Sequence, residues 1–346
     1  MSFGYFPELY PDELLYSACA RYQSHLGSRN QKSHIQRLFG IQSCCAITDF
    51  PSHIGFLANR ISTRENSIDS LIHLHTTYPY YHPFLPEETS HKIKQYMISD
   101  NRGNRIHTSL GINATSVPIS RYLKYCCKCS EEDVRLHGTT YWRRIHQLPG
   151  VNVCYVHSIV LVPTKVLVST SRGKHRFIDL NTIYQDYEVQ VTGDLAKEMV
   201  DLAKQSSELV SFRNDNSLSK DIIRAFYLEQ LESRGYMTVA GRVRFKLLSS
   251  DFIDFYSFEF LQQLNSNIST EDSWLHKVIR RSEGNCHPVR HLLLLKFLGF
   301  SIAEVNVKGR VKPFGDAPWP CLNKAAPHYR EVSVKQPPPC HKLRAV

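Results

Sequence analysis

Two short pairs of residues carry the clearest chemistry in the chain. Cys126 and Cys129 have C-x-x-C spacing, and Cys154 and His157 have C-x-x-H spacing, with a loop from Ser130 to Val153 between them. Each pair forms a knuckle that presents two donors to one point, and four such donors are what tetrahedral zinc requires. A closed set of four protein ligands leaves no coordination position for water or substrate. Such a site contributes folding energy and not catalysis. Cys127 is the surplus thiol, because pairing it with Cys129 gives a poor knuckle. His146 lies within reach as a competing ligand, made redundant by the Cys154 and His157 pair. Two other readings stand beside this one. The thiols could be unrelated buried cysteines, or "CCKC" could be a redox motif, although no βαβ pattern surrounds it. A zinc hydrolase or nuclease would need an open metal position and a carboxylate base. Glu131, Glu132 and Asp133 are close to the first knuckle, but no H-E-x-x-H spacing accompanies them.

The elements that must position these residues are mainly helical. "YPDELLYSACARY" places Pro11, Asp12 and Glu13 where a helix N-terminus favours them, and Leu14, Leu15, Ala18, Cys19 and Tyr22 follow at helical spacing. "NQKSHIQRLFG" has Asn30 as cap and Gly40 as stop. "DFPSHIGFLANRI", "SIDSLIHLHTTY" and the segment after Pro86 read as further short helices, compatible with a helix-turn-helix. From about Ser120 to Lys165 short alternating runs predict a small β-rich module, and "HRFIDL" a further strand. Helical periodicity returns with Leu195, Met199, Leu202 and Leu209. Four more helices follow: one ending at Gly235, one over "SSDFIDFYSFEFLQQLN", one over "TEDSWLHKVIRR" and one starting at Pro288. The expected fold is mainly α with a small zinc-binding, β-rich module. The expected organisation is an N-terminal helical, helix-turn-helix-like domain at 1–119, a zinc finger at 120–170, a C-terminal helical domain at 171–312 and a proline-rich tail at 313–346.

Composition narrows the class. The 346 residues are 42% hydrophobic and 21% charged, values of a folded chain. The N-terminus has no secretory pattern, and the apolar run "VRHLLLLKFLGF" is too short to span a bilayer. A cytoplasmic protein is expected, with its ten cysteines reduced and clustered ones acting as metal ligands. A formal net charge of +10 favours a polyanionic partner.

The stretch from Tyr125 to His157 also resembles the zinc module of the TniQ/TnsD family of transposon target-selection proteins. The resemblance rests on Tyr125, Cys126, Cys129, Asp133, Gly138, Tyr141, Trp142, His146, Gln147, Leu148, Pro149, Cys154 and His157. Cys127 stands where the family usually has proline. "FPSHIGFLA", "HTTYPYYHPFLP", "HPVRHLLLLKFLGF" and "PFGDAPWPCLNKAAPHY" extend the similarity toward the TnsD branch. The resemblance implies a non-enzymatic, nucleoid-associated bacterial protein that binds a double-stranded attachment site. It implies recruitment of a TnsC-like AAA+ ATPase and, through it, the transposase. In the RNA-guided branch, family members instead link a CRISPR effector complex to that ATPase. Cys321 and His328 resemble half of a second zinc site, which Cys340 and His341 would have to complete. Candidate DNA contacts are Lys32, Arg37, Arg121, Lys124, Arg143, Arg144, Arg242, Arg244, Lys246, Arg280 and Arg281.

Overall fold

The computed structural model describes residues 4–334 apart from 28–29, 62–66, 100–102, 112–115, 169–173, 186–193, 213–217, 219, 270–272, 281–284, 309–317 and 322. The N-terminal region is built from α1 (Leu15–Leu26), α2 (Gln31–Phe39), α3 (Ile54–Ala58), α4 (Ile68–His75), α5 (Tyr78–Tyr81), α6 (Glu87–Ser99) and α7 (Gly103–Ser109). Asn30 caps α2 by accepting from the Ser33 amide, and Gly40 ends it with φ of 82°. The Ser67 hydroxyl accepts from the Ser70 amide at the start of α4. Helices α4 and α6 both pack on α3.

The first helix starts later than the pattern of Pro11, Asp12 and Glu13 suggests. It begins at Leu15, and Asp12 takes a left-handed φ of 59°. The two carboxylates serve tertiary partners instead of the helix dipole. Asp12 accepts from Arg144 and from the Ile145 amide, and Glu13 accepts from Arg21 and from the Tyr10 amide.

The central module has β1 (Tyr122–Tyr125) paired antiparallel with β2 (Val162–Leu167), with α8 (Cys127–His137) between them. Its strand content is lower than the alternating sequence suggests, because the residues after the first knuckle wind into α8. Residues 176–179 are extended but join no sheet, and Leu180–Thr182 is a 3₁₀ turn. The Ile178 amide bonds instead to the Tyr16 hydroxyl, and the Ile178 carbonyl accepts from the Trp142 indole.

The C-terminal region comprises α9 (Asp194–Ser211), α10 (Lys220–Ser233), α11 (Phe245–Phe255), α12 (Phe258–Gln263), α13 (Trp274–Ile279), α14 (Pro288–Phe297) and α15 (Ile302–Lys308). A short ribbon of β3 (Trp319–Pro320) and β4 (Val332–Val334) follows. The stretch that reads as one helix over 249–265 is broken at Tyr256 and Ser257. Ser257 caps α12 by accepting from the Phe260 amide, and both its amide and its hydroxyl donate to Glu198 of α9. That exchange satisfies the groups freed by the break. Pro288 opens α14 as expected.

These regions share one continuous apolar cluster running from Leu14 to Val305. Helix α9 packs on α5, α12 and α14 and on the 3₁₀ turn Ile145–Gln147. Gly150 sits at the crossing with φ of 78°. A Cβ there would lie 3.0 Å from Leu264, 3.1 Å from Leu202 and 3.4 Å from Val289. Only glycine meets both the backbone angle and the close approach.

Candidate metal centre and cationic surface

Strand β1 ends by delivering Cys126 as the residue that caps α8. Its sulfur accepts from the Cys129 amide at 3.5 Å, which turns the second thiol of the pair to the same side. The second knuckle is a tight turn. The Ser158 amide donates to the Cys154 carbonyl, and the Cys154 amide donates to the Ile159 carbonyl. Cys126, Cys129, Cys154 and His157 thereby place their donor atoms within 4.8 Å of one another, the three thiols buried and the imidazole partly so. Among the described residues this is the one cluster with metal-binding geometry.

The separations fit one tetrahedral ion. Metal–sulfur bonds near 2.3 Å and metal–nitrogen bonds near 2.0 Å give ligand pairs about 3.8 Å apart for two sulfurs and about 3.5 Å for sulfur and nitrogen. Cys129 and Cys154 Sγ are 3.6 Å apart, and His157 Nδ1 lies 3.5, 3.4 and 3.6 Å from Cys126, Cys129 and Cys154 Sγ. Hydrogen bonds from Cys126 and then Cys129, with a smaller contribution from His146, hold the Cys154 thiol far below the usual range. The contacts with Cys126 and Cys154 push Cys129 upward. A divalent cation among the three sulfurs would favour the thiolate form of each.

His157 offers Nδ1 inward, and its Nε2 meets Glu132 Oε1 at 3.2 Å. A carboxylate on the outer nitrogen fixes the tautomer that a metal needs. Glu132 is therefore the outer-shell partner of the site. Its position one turn beyond Cys129 on α8 is the signal that a strand reading of this stretch obscures. Cys127, the first residue of α8, is buried outside the cluster. His146 is buried beside Cys154 as a neighbour and not as one of the four donors.

The module is bolted to the N-terminal helices. Trp142 is fully buried, its amide donating to Ser17 Oγ and its carbonyl accepting from the Leu14 amide. Arg144 is only 4% exposed. Its guanidinium reaches Asp12 Oδ1 at 3.1 Å and the carbonyls of His73 and Thr76 at 2.6 and 3.3 Å.

Burial sorts the predicted DNA contacts. Arg144 is spent inside the fold, and so is Lys124, whose ammonium bonds the Val151 carbonyl and Asn152. Burial lowers the Lys124 pKa to about 8. Arg143 pairs with the buried Asp133 carboxylate at 2.5 Å and lies over the Tyr141 ring. These three cations hold the module together, so the phosphate role expected of them does not fit their surroundings. Lys32, Arg37, Arg121, Arg242, Arg244, Lys246 and Arg280 are exposed. Arg121 lies over Tyr122 and Arg280 over Phe245. Arg281 lies outside the described residues. Cys321 is buried and His328 exposed, the Cys321 backbone pairing with Arg330 and Glu331 beside it, while Cys340 and His341 lie outside the described residues.

The TniQ family model matches residues 5–161, and the model described as Tn7-like transposition protein D, TnsD, matches residues 202–337. The chain belongs to the TniQ/TnsD family. The first match spans the N-terminal helices and all four clustered donors. The second spans α10 to α15 and most of α9. Along 340 residues the chain is 24% identical to the Tn7 transposition protein TnsD of Escherichia coli, covering 95% of this chain and 65% of that protein. It thus spans just under two thirds of that relative's length. No described helix is long and apolar enough to cross a membrane.

Proposed function

We propose that this TniQ/TnsD chain is a non-catalytic target selector for transposition. It binds a double-stranded attachment site, and it recruits a TnsC-like AAA+ ATPase that brings the transposase. Zinc is the metal that the Cys126, Cys129, Cys154 and His157 set would hold, because three thiolates and one imidazole in a tetrahedron suit its size and softness. Bound there, zinc would supply a rigid cross-link between β1, α8 and the Cys154 turn. All four positions are taken by protein atoms, so this chemistry is structural.

One observation carries the reading. The four-donor cluster lies within the segment matching the TniQ model, ahead of the segment matching TnsD, on a scaffold whose exposed cations remain after the buried ones are accounted for. A net charge of +10 supplies the attraction to phosphate, and base contacts would supply sequence choice. The test is selection from a randomised duplex pool by the full chain at physiological salt, followed by footprinting and addition of the cognate ATPase. A recovered sequence, protected and supershifted by the ATPase, is expected. Recovery of no preferred sequence would sink the proposal.

A further inference from the structure

Between α10 and α11 the chain makes a hairpin whose base packs on the core through Tyr236, Met237 and Val243 and whose tip is bare. Met237 and Val243 form an antiparallel bridge. The Thr238 amide donates to the Arg242 carbonyl, and the Gly241 amide donates back to the Thr238 carbonyl. Gly241 has φ of 73°, which closes a three-residue loop of the kind that keeps the strand twist. The tip residue Val239 is 109% exposed, as bare as a side chain can be. From Arg234 to Lys246 the sequence "RGYMTVAGRVRFK" contains no acidic residue. Arg242 and Arg244 are two positions apart on the returning strand and so share its outer face, while Val243 between them turns inward. Lys246 follows in the first turn of α11.

The base of this hairpin leads directly into a second basic feature. Phe245, the first residue of α11, stacks on His276 of α13 at 4.1 Å, and the Arg280 guanidinium lies 5.0 Å over the same ring. Arg280 also lines an open cleft of about 150 Å³ between α10, α13 and α14. Lys220, Arg224, Lys277 and Arg290 line it as well, with Asp221 the one carboxylate among the described lining residues. Lys277 is exposed, whereas Arg224 spends its Nε on the Ile279 carbonyl. Hairpin and cleft form one cationic face joined through Arg280. Lys220 and Arg224 come from α10 and Lys277 from α13, so only the packing of the two helices brings the three together.

We propose that the hairpin is a wing that enters the minor groove of duplex DNA while the adjoining cleft seats a phosphate of the flanking strand. The proposal rests on the reading of the chain as a DNA-binding selector and names the surface that does the binding. A bare turn is slim enough for the minor groove, about 6 Å wide, which excludes a helix. Arginines on one strand beside an apolar tip suit that groove, since its floor is electronegative and its sugar walls accept apolar contact. The cleft cations account for backbone attraction, which carries no sequence information.

The experiment uses the full chain, Arg242→Ala/Arg244→Ala and Val239→Gly. The first probe is a random-sequence duplex titrated across salt concentration. Loss of two cations that displace counterions from the groove lowers the salt slope by up to about 1.8, with affinity falling roughly tenfold or more. Val239→Gly keeps the slope but loses protection of the minor groove from hydroxyl radicals, and distamycin competes with the parent chain. The altered side chains are exposed, so melting curves should superimpose on that of the parent. An unchanged slope in the double variant, or unchanged minor-groove protection in Val239→Gly, would overturn the wing. The second probe, a randomised pool, reads sequence preference alone. A parent chain that shows the slope change but recovers no sequence keeps the wing and removes the selector reading.

Discussion

Replacing Arg144 with alanine separates a structural role from a DNA contact. The guanidinium is only 4% exposed and joins three segments distant in sequence. It donates to Asp12 Oδ1 at 3.1 Å, to the His73 carbonyl at 2.6 Å and to the Thr76 carbonyl at 3.3 Å. Arg144→Ala leaves the Asp12 carboxylate with the Ile145 amide as its remaining hydrogen-bond donor from the module. It also strips a donor from two carbonyls, one belonging to the fully buried Thr76. Breaking a buried ion pair costs about 3–5 kcal/mol, and each orphaned buried acceptor costs about 1–3 kcal/mol. These contributions overlap, so the expected loss is about 3–5 kcal/mol, a large part of a typical folding free energy. Urea denaturation followed by circular dichroism measures it. DNA affinity, read at a denaturant-free temperature where the variant is still folded, should stay near that of the parent. The opposite pattern, parental stability with weakened DNA binding, would refute the assignment and return Arg144 to the phosphate contacts.

Three further outcomes follow from the geometry. Gly150→Ala should destabilise by about 1–3 kcal/mol, because its Cβ meets Leu264, Leu202 and Val289 at 3.0–3.4 Å on a left-handed backbone; a melting temperature unchanged from the parent would contradict the close crossing. Glu132→Gln should speed zinc loss to a chromophoric chelator by about 10–100-fold without removing the ion at equilibrium, since it loosens only the outer nitrogen of His157. An unchanged release rate would remove Glu132 from the site. Burial lowers His75 to about 4 and His287 and His291 to about 3, so the unfolded chain binds protons that these rings refuse. Stability should therefore fall as pH drops below about 6.5 and keep falling toward those folded values, by about 1 kcal/mol per ring between about pH 7 and 5.5. Melts with parallel zinc detection distinguish this from ligand protonation, and a flat profile with zinc retained would be the contrary result.

How much of this could be read from the residues depended on how local the cause was. The two knuckles were legible because C-x-x-C and C-x-x-H set donor geometry within a single turn of chain. Asn30, Gly40, Gly235 and Pro288 were legible for the same reason. The start of α1 was not, since Asp12 answers to Arg144, a partner far along the chain. Helix α8 was hidden inside a stretch whose alternation suggested strands, and with it the role of Glu132. The break at Ser257 depends on Glu198 of α9, which no local pattern reveals. Cations were the least legible feature. Lys124 and Arg144 look like any exposed base until their burial is known, and the cleft cations come together only in the folded chain.

Metal content of the purified chain, by plasma mass spectrometry, tests the four-donor centre most directly. About one equivalent of zinc is expected in the parent and in Cys127→Ala, and none in Cys154→Ser, whose module should lose its fold along with its ion. Zinc lost on replacing Cys127, or a folded Cys154→Ser chain that keeps its zinc, would contradict the assignment.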